Sequence, residues 1–138
     1  MSRIMSAVPK ELLIHRGDTF VDVLQLSTAQ KAALPGRTSA WFTLKNAFSD
    51  EDSGALLQVT EVGGLVVLGG SSNVNPNWAS LVVDEGLGTI TLTIEADATQ
   101  LLASYNSHVF YDHQLRGSQV ITLSRGRCYI TRDATRSI

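Results

Sequence analysis

With a single cysteine in 138 residues, Cys128, the chain cannot close an internal disulfide, and no His/Cys grouping has zinc-finger spacing. A disulfide-stapled scaffold and a thiolate metal site are both excluded. Charge of one sign is lacking as well. Eleven Lys and Arg stand against thirteen Asp and Glu, so the formal net charge of −2 gives no global electrostatic reason to expect nucleic acid or an anionic membrane as a partner. Apolar runs such as "GGLVVLGG" fall far below the roughly 20 residues of a membrane-spanning helix, and the first ten residues have no apolar centre of a secretory signal. The expectation is a soluble, unexported chain. Nucleophile elbow, phosphate-cradling glycine loop and dinucleotide fingerprint are all missing. Hydrophobic residues, at 43%, suffice for one core, so residues 1–138 read as a single domain with an N-terminal arm at 1–10 and a C-terminal tail at 133–138.

What recurs along the chain is a short run of period-two alternation closed by Gly, Pro, Asn or Asp. In "TITLTIE", Ile90, Leu92 and Ile94 take one face and Thr89, Thr91, Thr93 and Glu95 the other. Similar runs fall at about 11–16, 19–27, 39–46, 56–62, 65–69, 80–84, 108–116, 119–124 and 127–132. Gly63-Gly64, Glu85-Gly86, Gly117-Ser118 and Arg125-Gly126 lie between them and supply the turn chemistry of tight hairpins. Short, evenly spaced, mostly antiparallel strands predict a sandwich or barrel. "EADATQLLAS" breaks the rhythm and predicts one short helix near residues 97–104, capped by Asp97, with Leu101 and Leu102 turned inward. "STAQKAAL" has a weaker helical pattern that Pro35-Gly36 would stop. Phe42 and Leu44 are expected inward on a central strand, beside Ile90, Leu92 and Ile94.

Two stretches invite chemistry. "KNAFSDEDSGALLQ" offers Asp50, Glu51 and Asp52, with Glu61 at the twelfth position of a calcium loop; but the glycine comes one residue early and residues 55–60 read as strand. A wet loop between strands fits better than a metal site or an acid pair. In "SHVFYDHQL", extended geometry places Val109, Tyr111, His113 and Leu115 on one face and His108, Phe110, Asp112 and Gln114 on the other. Adjacent Asp112 and His113 therefore diverge, and a satisfied core or interface histidine is expected rather than a ligand.

The order "FTLKNAFSDEDSGALLQ", "GTITLTIEADATQLL", "VFYDHQL", "GSQVITLSRGRCYITRDATR" resembles a family of bacteriophage virion domains, immunoglobulin-like sandwiches like the N-terminal domain of phage baseplate upper proteins. Phe42-Thr43-Leu44-Lys45, Asp50, Asp52, Tyr111-Asp112, Gly126 and Asp133-Ala134-Thr135-Arg136 carry the likeness, which runs from about residue 17 to 136. His113 departs from it, standing where the family has an aliphatic residue. The stretch 69–88 departs too, being longer than the usual connection.

The resemblance implies an all-β, immunoglobulin-like antiparallel β-sandwich and a non-enzymatic virion structural protein of the tail, baseplate or fibre-attachment region, made in the bacterial host cytoplasm. A capsid decoration or head-to-tail connector protein is the alternative. A carbohydrate-binding host-recognition module would be a different class. The implied partners are other virion proteins and further copies of the chain, with no nucleic acid, membrane, cofactor, metal or small-molecule substrate. Candidate interface residues are Trp78, which in its Asn/Ser/Gly-rich stretch either anchors a partner or folds back as a lid over one end of the core, and Arg125, Arg127, Arg132 and Arg136. Between Lys45 and Arg116 there is no Lys or Arg, while nine acids fall there; either folding interleaves the strands and mixes these charges into an ordinary surface, or an acidic loop surface and a basic C-terminal edge remain.

Overall fold

The computed structural model describes residues 11–46, 55–69, 71–102 and 109–131. Nine strands follow one another: β1 (Leu12–His15), β2 (Phe20–Gln25), β3 (Arg37–Lys45), β4 (Leu57–Thr60), β5 (Gly64–Leu68), β6 (Ala79–Asp84), β7 (Thr89–Ile94), β8 (Val109–Gly117) and β9 (Val120–Thr131). They form a six-stranded sheet in the order β1-β9-β8-β3-β4-β5 and a three-stranded sheet in the order β2-β7-β6. In chain order this is the nine-strand arrangement of a variable-type immunoglobulin sandwich, whose larger sheet extends the last, next-to-last and third strands by two more. The molecule is an immunoglobulin-like β-sandwich.

Alternation explains the layering. Ile90, Leu92 and Ile94 of β7 face Phe42 and Leu44 of β3, all of them 1% exposed or less, and Thr89, Thr91 and Thr93 stay partly exposed. β3 is central, paired antiparallel with β4 on one side and β8 on the other. Immunoglobulin domains of antibodies pin their sheets with a disulfide, against which a Trp packs, and place a Tyr two residues before the second Cys. Here Tyr111 is followed two residues later by His113, 2% exposed, and Phe42 packs its ring 4.9 Å from the His113 ring and 6.0 Å from that of Tyr111. His113, at the place of that second Cys, is part of an aromatic cluster on the inner face of the larger sheet.

Several sequence expectations need correction. The pairing is mostly antiparallel, as expected, with β1 running parallel to β9, but the strand and helix bounds differ. The runs expected at 119–124 and 127–132 are one strand; Arg125-Gly126 is no turn, and Gly126 pairs with Tyr111 within the ladder. The irregularity falls instead at Leu123, left unmatched where His113 pairs with Ser124 and Gln114 with Thr122. Among the described residues there are two short α-helices rather than one. The first, α1 (Thr28–Ala32), is the weaker sequence pattern: Ser27 and Gln30 close a reciprocal capping box, and Pro35 sits in the single 3-10 turn that follows. Buried Gln30 also donates to the Leu123 carbonyl at 2.9 Å, satisfying the bulge. The second, α2, spans Ala96–Thr99, shorter and earlier than expected; Glu95 rather than Asp97 takes the N-cap position, and Asp97 lies in the first turn. Leu101 and Leu102 follow its end, and only Leu102 is buried while Leu101 is 57% exposed. The arm 1–10 and tail 133–138 lie outside the described residues, as do Asp50, Glu51, Asp52 and His108.

Candidate protein-binding face

The side chains that could meet a partner are set by strand register on the outer face of the six-stranded sheet. Arg127 pairs with Phe110, and Phe110 with Lys45; one step along, Arg125 pairs with Asp112, Asp112 with Thr43 and Thr43 with Gln58. A third row joins Thr122, Gln114, Trp41 and Thr60, and Leu13 adjoins Tyr129 at the β1 end. The guanidinium of Arg116 stacks 3.9 Å from the Trp41 ring centre while its Nε donates to Gln114 Oε1 at 3.1 Å. Such stacking holds a cation flat against its aromatic support. Gln58 Nε2 donates to Thr43 Oγ1 at 3.1 Å, so the polar pair beside these rows is buried without loss of hydrogen bonding. Arg125 and Arg127 are exposed; Trp41, Phe110, Asp112 and Tyr129 are partly so.

This assembly contains only part of the sequence-predicted set. Arg125 and Arg127 lie on it, two residues apart and therefore on the same side of β9. Arg132 and Arg136 lie outside the described residues. Trp78 is elsewhere: it ends a 3-10 turn (Pro76–Trp78), is partly buried, and packs against the core. Its N–H donates to the Asn75 carbonyl at 3.1 Å, and its own carbonyl accepts from the Glu95 N–H at 2.8 Å. The surrounding turn is fastened locally, with Asn77 N–H donating to Asn75 Oδ1 and Asn73 N–H to Ser71 Oγ. Trp78 is a cover over the core rather than an open sugar-stacking platform. Sequence reasoning missed Trp41, Phe110, Arg116 and Tyr129, although their outward phase on already identified strands was the available signal.

Charge segregation is only partial, because folding brings Arg37 to two acids of the cation-free interval. Arg37 Nε and Nη2 donate to the two carboxylate oxygens of Glu61 at 2.8 and 2.6 Å, and Nη1 reaches both Glu85 at 2.9 Å and the Leu34 carbonyl at 2.9 Å. The fork ties β3 and the β4–β5 turn to the β6–β7 turn of the other sheet. Glu61, formally the twelfth calcium-loop position, is thus an ion-pair partner; the described residues contain no group of three or more metal-ligating side chains. The Arg37 fork and an N–H from Ala40 hold the Glu61 carboxyl below the ordinary range, against burial that pushes it up. A depressed carboxylate contributes stability above its unfolded value, about 4.3, and loses it as pH falls through the lower folded value. Glu61→Gln should therefore unfold more easily than wild type at neutral pH, with the gap closing on acidification in urea titrations. A gap that widens in acid would contradict this assignment.

His113 and Asp112 do diverge: His113 is enclosed by Phe42 and Tyr111, with Asp112 on the outer face. Cys128 is fully buried, and burial pushes its thiol up to about 12, away from the reactive thiolate.

No family model matches the chain, and no curated protein does. Among solved structures it is similar to "Crystal structure of Dpr2 Ig1-Ig2 in complex with DIP-Theta Ig1-Ig3", at 12% identity and a TM-score of 0.47, over 90% of this chain and 44% of that one. The chain thus spans less than half the length of that neighbour, and the fold assignment stands on strand order and register instead.

Proposed function

We propose that this chain is a non-enzymatic structural protein of a bacteriophage virion, assembling in the tail, baseplate or fibre-attachment region by docking the outer face of its six-stranded sheet on a neighbouring protein. The phage assignment is supported by the ordered likeness of four segments to virion sandwiches. The docking face is carried by one observation: Trp41 stacked under Arg116, with Phe110, Tyr129, Arg125 and Arg127 arrayed around it on a rigid sheet. Aromatic residues and Arg are the side chains that protein interfaces enrich, since they combine large contact area with directed hydrogen bonds. Arg forks hold carboxylates bidentately, so the partner surface is acidic. The core placement of Trp78 weighs against the sugar-binding alternative.

Arg125→Ala combined with Arg127→Ala should leave thermal stability within about 0.5 kcal/mol of wild type, both side chains being exposed. Incorporation into purified particles should fall severalfold, and wild-type incorporation should weaken as salt rises toward physiological strength. Wild-type incorporation of the double variant would move the docking surface elsewhere. A chain absent from purified virions would end the virion reading.

A further inference from the structure

We propose that a second copy of this chain pairs with the free edge of β6, antiparallel, about a two-fold axis through Val82. Exposed sheet edges are templates for further strands, and proteins blunt them with short strands, bulges or inward-pointing charges. Three of the four described edges carry such a device. β1 has four residues. β5 has the bulged Val66, skipped where Gln58 pairs with Val67 and Val59 with Leu65. β2 places Asp22 on the core side between Phe20 and Leu24. β6 is covered only at its first residue, Ala79; beyond it the sequence SLVVD is unbulged, without proline, and uncharged before Asp84.

The ladder defines which groups that edge offers. The Glu95 N–H bonds the Trp78 carbonyl, so in this register the pairs exchanging hydrogen bonds with β7 are Ser80–Thr93, Val82–Thr91 and Asp84–Thr89. Ala79, Leu81 and Val83 direct their N–H and C=O groups away from β7. Gly64 backs onto the first of these: a Cβ there would lie 3.1 Å from the Ala79 carbonyl oxygen. The open window is therefore Leu81–Val83, beside a groove of about 430 Å³ that Val62 also lines.

That window is self-complementary. With the axis through Val82, Leu81 opposes Val83 of the second copy and Val83 opposes its Leu81, each pair exchanging two hydrogen bonds. Val82, 58% exposed, meets Val82 of the second copy. Asp84 meets Ser80, so the two carboxylates stand at opposite ends and no like charges oppose. The two small sheets become one continuous sheet of six strands. The contact rests on the proposed assembly role in requiring self-association, but it leaves the Arg face unused.

Opposed residues of a non-hydrogen-bonded pair have Cα atoms about 4.5 Å apart, within disulfide reach. Val82→Cys should give a disulfide-linked dimer under mild oxidation at least tenfold faster than Val23→Cys, a comparably exposed position in the same row on the opposite edge. Buried Cys128 does not compete. In the unmodified chain, amide exchange at Leu81 and Val83 should slow with protein concentration, while Ser80 and Val82, already bonded to β7, do not change. Equal cross-linking at both positions, or concentration-independent exchange at Leu81 and Val83, would overturn the β6 contact. Because Arg125→Ala with Arg127→Ala leaves the edge intact, loss of incorporation in that variant with normal Val82→Cys cross-linking separates the two surfaces.

Discussion

Phe42→Ala is expected to destabilise the protein by about 3–5 kcal/mol, the range for truncating a fully buried Phe. The side chain is completely enclosed, and its strand lies centrally in the larger sheet, paired to Val59 on one side and His113 on the other. The one cysteine rules out an internal disulfide to back up the core, whose rings Phe42, Tyr111 and His113 are in mutual contact on the inner face of the larger sheet. Deleting Phe42 removes one of three mutually contacting rings and leaves a cavity that strands held in register cannot easily close. Domains of this size are stable by about 5–15 kcal/mol, so the loss takes a large share of the total. The control is the next residue. Trp41→Ala removes a larger ring from the outer face and should cost only about 1 kcal/mol, mainly the stack with Arg116. Equal losses in urea titrations would show that the inward and outward phases of β3 are misassigned.

Period-two alternation made the sandwich legible because a strand with one buried face writes its phase directly into the sequence: Ile90, Leu92 and Ile94 could be placed inward without coordinates. Two kinds of feature were not written there. Strand continuity through Arg125-Gly126 is a tertiary outcome, since β8 supplies a ladder partner at each position and overrides a local turn signal. The parallel β1–β9 pair joins segments more than a hundred residues apart, and nothing local specifies its direction. Helix length failed for a related reason: Thr99, the last residue of α2, is fixed by distant partners, its Oγ1 donating to the Asp18 carbonyl and accepting from the Gly17 N–H.

The candidate face was half legible. Arg125 and Arg127 stood out by charge, but Trp41 and Phe110 looked like ordinary strand aromatics until register set them beside the arginines. Trp78 drew notice by composition, since an indole in a Gly/Asn/Ser stretch resembles an exposed anchor. Its packing against the core depends on the Glu95–Trp78 hydrogen bond between distant segments. Charge mixing at Arg37 was hidden for the same reason: Glu61 and Glu85 are close to it only after the two sheets stack.

Gly64→Ala should cost about 3 kcal/mol or more, whereas Gly69→Ala should cost only about 1–2 kcal/mol. Both glycines have left-handed backbones, with φ of +66° and +61°, and an L-residue there carries a penalty of roughly 1–2 kcal/mol. The surroundings separate them. At Gly69 a Cβ would meet nothing within 4 Å, but at Gly64 it would lie 2.3 Å from the Pro76 carbonyl oxygen, an approach real Cβ atoms essentially never make. The obstacle is backbone and cannot rotate aside, so relief requires shifting the Pro76–Trp78 turn, which carries Trp78 over the core and leads directly into β6. In a Trp41→Phe background, the Gly64→Ala chain should therefore show Trp78 fluorescence shifted to the red, as the indole loses its apolar cover, while Gly69→Ala leaves the spectrum unchanged. Equal destabilisation and identical spectra would mean that the β4–β5 turn and the Pro76–Trp78 turn are not in contact, and the seal over Ala79 that confines the β6 edge to Leu81–Val83 would go with it.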